Sequence, residues 1–150
     1  MARGNHNGGP APRGPVRCAI YTRTPALPVA GVLSIPDQRG ACERYVQAHQ
    51  ILGWQALPER YDDAGESGLT LQRPGLTALL EDVKRGHAHA VVTHTLDRLT
   101  VLTMDLGFLA KTLRQHGTSI FTVLHDYETE PYRQRIKAEL LQGRRRDGKA

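Results

Sequence analysis

Val16-Arg-Cys-Ala-Ile-Tyr-Thr22, followed by Arg23-Thr24-Pro25, decides how this chain folds. The run is short, rich in β-branched and aromatic residues, and stops at proline, so it reads as a strand emptying into a loop. Upstream, residues 1–15 hold four glycines and three prolines with almost nothing apolar. Such a stretch buries too little surface to offset its ordering entropy and reads as a disordered leader. Downstream, the loop runs to about Leu33. Ser34 before Ile35 and Pro36 then marks a helix start, with the hydroxyl as cap and proline in the first turn, where its missing N–H costs nothing. The helix continues through Ala41, Tyr45, Val46 and Ala48 to about Leu52 and ends at Gly53.

The same alternation repeats along the chain. Trp54 to Tyr61 reads as a second strand, followed by the loop Asp62 to Arg73. Pro74 opens a second helix with Leu76, Leu79, Leu80 and Val83 on its apolar face and Gly86 at its end. Ala88-His-Ala-Val-Val-Thr93 is a buried-type strand, Met104 to Gln115 an amphipathic helix closed by Gly117, and Thr118 to Leu124 a further strand. A charged helix over 132–141 leads into the basic tail Gly143-Arg-Arg-Arg-Asp-Gly-Lys-Ala150. Strands alternating with helices predict an α/β fold, a mainly parallel sheet of about four strands with helices on both faces. We divide the chain into a leader (1–15), one α/β domain (16–128) and a short charged helix with its tail (129–150). With 150 residues and 39% apolar content there is material for one core.

Composition narrows the setting. A net charge of +5 and a pI near 9.6 favour contact with something acidic, nucleic acid among the candidates, although part of the excess sits in the tail. Cys18 and Cys42 form no CxxC pair and no secretory signal is visible, so we expect a reducing, cytoplasmic setting. No apolar run approaches the 18 or more residues of a membrane-spanning helix.

Three motifs carry chemistry: Ala19-Ile-Tyr-Thr-Arg-Thr24 at the first strand's end, Tyr61-Asp-Asp-Ala-Gly-Glu-Ser-Gly68 with Arg73-Pro74 behind it, and Leu96-Asp-Arg-Leu-Thr100 after the third strand. In this order and spacing, with Ser34-Ile-Pro-Asp-Gln38 between them, the chain resembles the resolvase/invertase family of serine site-specific recombinases over residues 16 to 125. The likeness is to the catalytic domain of the large phage-integrase type. It implies a resolvase-like fold and DNA recombination, in which a serine hydroxyl attacks a DNA phosphate to give a 5′-phosphoserine link, with no metal and no cofactor. Such a reaction needs an activated hydroxyl among guanidinium groups, because charge builds on the non-bridging oxygens and planar donors stabilise it. By resemblance, Arg23, Arg73 and Arg98 occupy three arginine positions, and Asp97 the acidic position that orients a guanidinium or handles a proton.

The chain also departs from the pattern. Pro25 stands at the nucleophile position and has neither hydroxyl nor N–H. Val101 stands where the family's Asp-Arg-Leu-x-Arg ends in arginine, and His89 where much of the family is acidic. Thr24 is adjacent to the nucleophile position, but neighbours in an extended segment point to opposite faces. Ser34 is accounted for as a cap and Ser67 by the Ser-Gly turn. Removing the nucleophile of a covalent enzyme costs on the order of a millionfold in rate, so we expect a pseudo-enzyme.

The carboxyl region is read as too short for the family's long helix and separate DNA-binding domain. Arg133, Arg135, Lys137, Arg144, Arg145 and Arg146 are candidate phosphate contacts of sequence-independent kind, and they fit a solvated charged helix as well. Two functional readings stand. One is a degenerate recombinase domain, a truncated or decaying copy from a mobile element, bound weakly to DNA. The other is a regulatory or dimerisation module, pairing with itself or with an intact recombinase. The His-x-His spacing also raises a metal site from His87, His89, His94 and Asp97, which is disfavoured because ordinary core packing explains the strand alternation. A dinucleotide-binding domain is disfavoured because Thr22 to Leu27 offers no glycine for close phosphate approach.

Overall fold

The structure is a computed structural model that describes residues 14–124. Most of the expected leader, the 132–141 helix, the basic tail and its six candidate phosphate contacts lie outside the described residues.

Strand β1 (Val16–Arg23) is the centre of a parallel sheet. On one side it pairs with β4 (Ala90–Thr93), which pairs in turn with β5 (Ser119–Thr122). On the other side its first half pairs with β2 (Trp54–Ala56) and its second half with β3 (Tyr61–Asp63). The single strand expected over 54–61 is therefore two three-residue strands in one position of the sheet. Leu57 still donates its N–H to the Cys18 carbonyl (2.8 Å), but the chain bends at Pro58, whose ring fixes φ, and pairing resumes only at Tyr61. Four strand positions and five strands follow from that one proline.

Alternation along the strands splits the core in two, as the period of an extended chain requires. Val16, Cys18 and Ile20 of β1, Ala90 and Val92 of β4, and Phe121 of β5 face Cys42 and Val46 of helix α1 (Ile35–Ala48). Ala19, Tyr21, Val91 and Ile120 face the other way, against Leu76, Leu79 and Val83 of α2 (Pro74–Lys84) and Leu109 and Leu113 of α4 (Thr103–Gln115). Helices thus cover both faces, as the sequence predicts. Both cysteines are free, and burial pushes each thiol up to about 12.

Helix starts follow their sequence signals with one substitution of means. Ser34 Oγ accepts the Asp37 N–H (3.2 Å), the expected cap. Helix α1 ends at Ala48, and a short 3₁₀ turn (Gln50–Leu52) carries the chain to Gly53, whose φ of 85° suits glycine. Helix α2 has no cap from its own flanking side chain. The carboxylate of Asp63, at the end of β3, accepts the N–H groups of Gly75 (2.6 Å) and Leu76 (2.9 Å) instead. A negative charge there also complements the helix dipole. A one-turn helix, α3 (Leu96–Leu99), was not anticipated.

Asp63 is one end of a buried line. Tyr21 donates its hydroxyl to Asp63 Oδ2 (2.6 Å) and accepts from Arg73 Nη1 (2.7 Å). Burial, then the bond to Asp63, pushes the Tyr21 phenol well above its ordinary range. Arg73 is 1% exposed. Its remaining donors go to the carbonyls of Thr70 (2.9 Å), Arg98 (3.1 Å) and Leu99. A guanidinium this buried is tolerable because every face of its fork has an acceptor.

The opposite end of the sheet depends on a histidine. Arg17 donates its backbone N–H to His89 Nδ1 (3.0 Å), so the ring is neutral with its proton on Nε2. Burial, then the Arg17 cation, holds His89 below its ordinary value.

Two outcomes follow for stability. Arg73→Met removes the buried donor to the Tyr21 hydroxyl and to the carbonyls of Thr70, Arg98 and Leu99, and should cost about 3–5 kcal/mol in urea unfolding. Tyr21→Phe should cost about 1–3 kcal/mol. A histidine with a depressed folded value stabilises fully above its unfolded value of about 6.5 and loses that contribution as pH falls below it. The urea midpoint should therefore decline from pH 6.5 towards 5, and His89→Gln, which keeps an acceptor but does not titrate, should flatten part of that decline.

Candidate functional site

The chain leaves β1 towards β2 on one side and leaves β4 towards β5 on the other, so the connections after the carboxyl ends of β1 and β4 diverge. The motif residues gather at that edge. Arg23 closes β1, Arg73 precedes α2, and Asp97 and Arg98 sit on α3.

Arg23 is 3% exposed. Its fork donates to three carbonyls, from Nε to Arg98 (2.8 Å), from Nη1 to Glu66 (2.9 Å) and from Nη2 to Asp97 (2.5 Å). Gly68 makes room for it, since a Cβ there would lie 2.7 Å from Nη2. Gln38, buried on α1, grips the Arg23 backbone at both ends: its Oε1 accepts the N–H (3.1 Å) and its Nε2 donates to the carbonyl (2.9 Å). Arg98 Nη1 donates to that same carbonyl (2.9 Å). Arg23 and Arg98 therefore clasp each other, side chain to main chain in both directions. Burial, then the charges of Arg98 and Arg73, lowers the Arg23 value from its ordinary range.

Arg73 joins through a shared acceptor. The Arg98 carbonyl takes hydrogen bonds from both Arg23 Nε and Arg73 Nη1, which puts those two nitrogens at most about 6 Å apart. Arg98 spends its other donors on Asp97, from Nη2 to Oδ2 (3.0 Å) and from Nε to Oδ1 (3.3 Å). The Thr95 hydroxyl also donates to Asp97 Oδ1. Burial works against the Asp97 charge, but the bonds from Arg98 and Thr95 outweigh it and hold the carboxyl below the usual range. The four residues named from the sequence thus come together. Their donors point inward: the Asp97 side chain is 53% exposed and that of Arg98 only 11%.

The residues at the departures are placed as follows. Pro25 is half-buried, two residues beyond Arg23. Thr24 lies against the loop after β3: its N–H donates to the Asp63 carbonyl (3.1 Å), its carbonyl accepts from Glu66 (3.0 Å), and its Oγ1 accepts the Gly65 N–H (2.9 Å). Val101 is half exposed and donates its N–H to the Gly68 carbonyl (3.1 Å). Ser67 Oγ accepts from Leu69 within the Ser-Gly turn.

The histidines do not gather. His87 and His89 precede β4 and His94 follows it, at opposite ends of the strand. His87 Nε2 meets Glu59 Oε2 (3.0 Å), while His89 is committed to Arg17. Among the described residues no group of three or more side chains is arranged to hold a metal ion.

Sequence reasoning passed over Tyr21, Gln38, Asp63 and Gly68 as site residues. All four lie inside the quoted motifs, which was the available signal. Their roles are to hold arginines, and a linear pattern does not disclose that.

Comparison with known proteins agrees with this layout. The model of the resolvase N-terminal domain matches residues 18–146. A candidate DNA recombinase of Bacillus subtilis (strain 168) is 30% identical over 115 residues, 75% of this chain and 21% of the relative. The chain therefore spans about a fifth of that relative's length. Among solved structures, the N-terminal catalytic domain of TP901-1 integrase superposes with a TM-score of 0.64 at 24% identity, covering 89% of this chain and 99% of the other. The C-terminal catalytic domain of ISC1926 TnpA, an IS607-like serine recombinase, gives 0.59 at 21% identity over 81% and 77%. These two likenesses concern the fold. By its motifs, its sheet order and the extent of the family match, the chain belongs to the resolvase/invertase family of serine recombinases, matching its N-terminal domain.

Proposed function

We propose that this chain is a resolvase-type recombinase domain that associates with DNA and no longer cleaves it. The observation that carries the reading is Pro25, two residues past Arg23, where the family pattern has its serine. Proline supplies no oxygen to form a phosphoester and fixes φ in a loop where an attacking group must approach phosphorus. Thr24 is a poor replacement, because its oxygen already accepts the Gly65 N–H. The inward turn of Arg23 and Arg73 supports the same view. Val101 adds no charge where transition-state charge would need it. The DNA partner is assigned through the family, with Arg98 at the site and Arg133, Arg135, Lys137 and Arg144 to Arg146 beyond the described residues as phosphate contacts.

A second reading has its own observation. Met104 is 87% exposed and Phe108, one turn on, 58%. Apolar side chains this open on one helix suit a protein partner, so pairing with an intact recombinase or a second copy is the alternative. Co-purification with an intact family member at micromolar concentration supports pairing, and failure to associate counts against it.

Incubation with a nicked or mismatched recombination site of an intact family member should give no covalent protein–DNA adduct on a denaturing gel. An adduct mapping to Thr24 would overturn the proposal. Pro25→Ser alone should stay about 10²- to 10³-fold below Pro25→Ser/Val101→Arg in adduct yield, since one phosphate-stabilising donor is worth that much. Equal yields from the two variants would show that Val101 costs nothing.

A further inference from the structure

A crevice of about 500 Å³ lies where the connections after β1 and β4 part, between the loop before α1 and helix α3. Its size falls within the roughly 300–1,000 Å³ of small-molecule sites, and its place at the strand-order reversal is where open α/β sheets bind ligands. The loop is unusual in content: Pro25 to Leu33 contains no charged and no hydrogen-bonding side chain. Val32, Leu33 and Leu96 form the apolar walls. His94 enters from the end of β4 with no hydrogen bond from its ring to the described residues, and burial, then the Arg98 charge, holds it below its ordinary value. A neutral imidazole both donates and accepts. Asp97 presents an exposed carboxylate, and Arg98, paired to it and only 11% exposed, lines the floor.

We infer that this crevice takes a single unpaired nucleotide, its base between the apolar walls and its phosphate at the open mouth. The complementarity is chemical. Flat, partly apolar rings with polar edges fit walls of valine and leucine beside one donor–acceptor and one acceptor, and bases held outside a duplex are read in this way. A duplex is too wide to enter. Asp97 sets a preference, because a carboxylate accepts from an exocyclic amino group such as cytosine N4, whereas thymine offers O4, another acceptor. The inference rests on the DNA partner proposed above and adds which form of DNA the site prefers.

The test is fluorescence anisotropy at low salt with labelled dC8, dT8 and a 20-base-pair hairpin duplex. We expect dC8 to bind at least about fivefold more tightly than either of the others. Leu33→Asp should abolish that preference, whereas Ile51→Asp, the same charge change at a 91% exposed residue outside the crevice lining, should keep it. Asp97→Asn should bring dC8 and dT8 together. Addition of dCMP should shift backbone amide resonances at 30–33 and 94–98. If the duplex binds and dC8 binds no better, the inference fails while the DNA reading stands. If no DNA binds, both fall.

Discussion

One carbonyl oxygen, that of Arg98, accepts hydrogen bonds from two guanidinium groups, and the carboxyl edge of the sheet is built around it. Arg23 reaches it from β1, and Arg73 from the turn before α2. Through Tyr21 and Asp63, Arg73 continues to the first turn of α2, so strands β1 and β3, the start of α2 and the turn α3 meet on one polar line. Each cation in this line is a large desolvation cost that is met by several acceptors at once, which is why removing one member leaves others unsatisfied.

That line also engages, within the protein itself, side chains of the kind suited to phosphate chemistry. A guanidinium fork that grips a phosphate also grips a row of main-chain carbonyls, since both present acceptor oxygens at similar spacing. Here the carbonyls of Glu66, Asp97, Arg98 and Leu99 occupy the donors. Arg23 and Arg98 repel each other as charges and are held together by each other's backbone. The outward face of the edge is left to Asp97 and to an apolar loop.

Much of this was legible in the sequence. Ser34 and Pro36 named a helix start, Pro74 another, and the period-two runs at Val16 and Ala90 named the central strands. Motif order named Arg23, Arg73, Asp97 and Arg98, whereas their convergence is seen only in the structure. The break at Pro58 was readable in principle, because a proline inside a run demotes it as a strand. The cap of α2 was beyond reach. Position 73 has no capping side chain, and the carboxylate that replaces it lies at position 63, brought close only by the pairing of β3 with β1. Which acceptor a buried arginine finds is likewise a property of packing.

The lapse in the ladder at Leu57-Pro58-Glu59-Arg60 has a further effect on how the protein behaves among its own kind. An open sheet edge is a template for strands of other molecules, and long flat edges invite aggregation. On this flank the template comes in pieces of three residues, β2 and β3, with a proline and two charged side chains between them. No incoming strand keeps register across that gap. The same irregularity that splits one strand into two thus guards the molecule against edge-to-edge association.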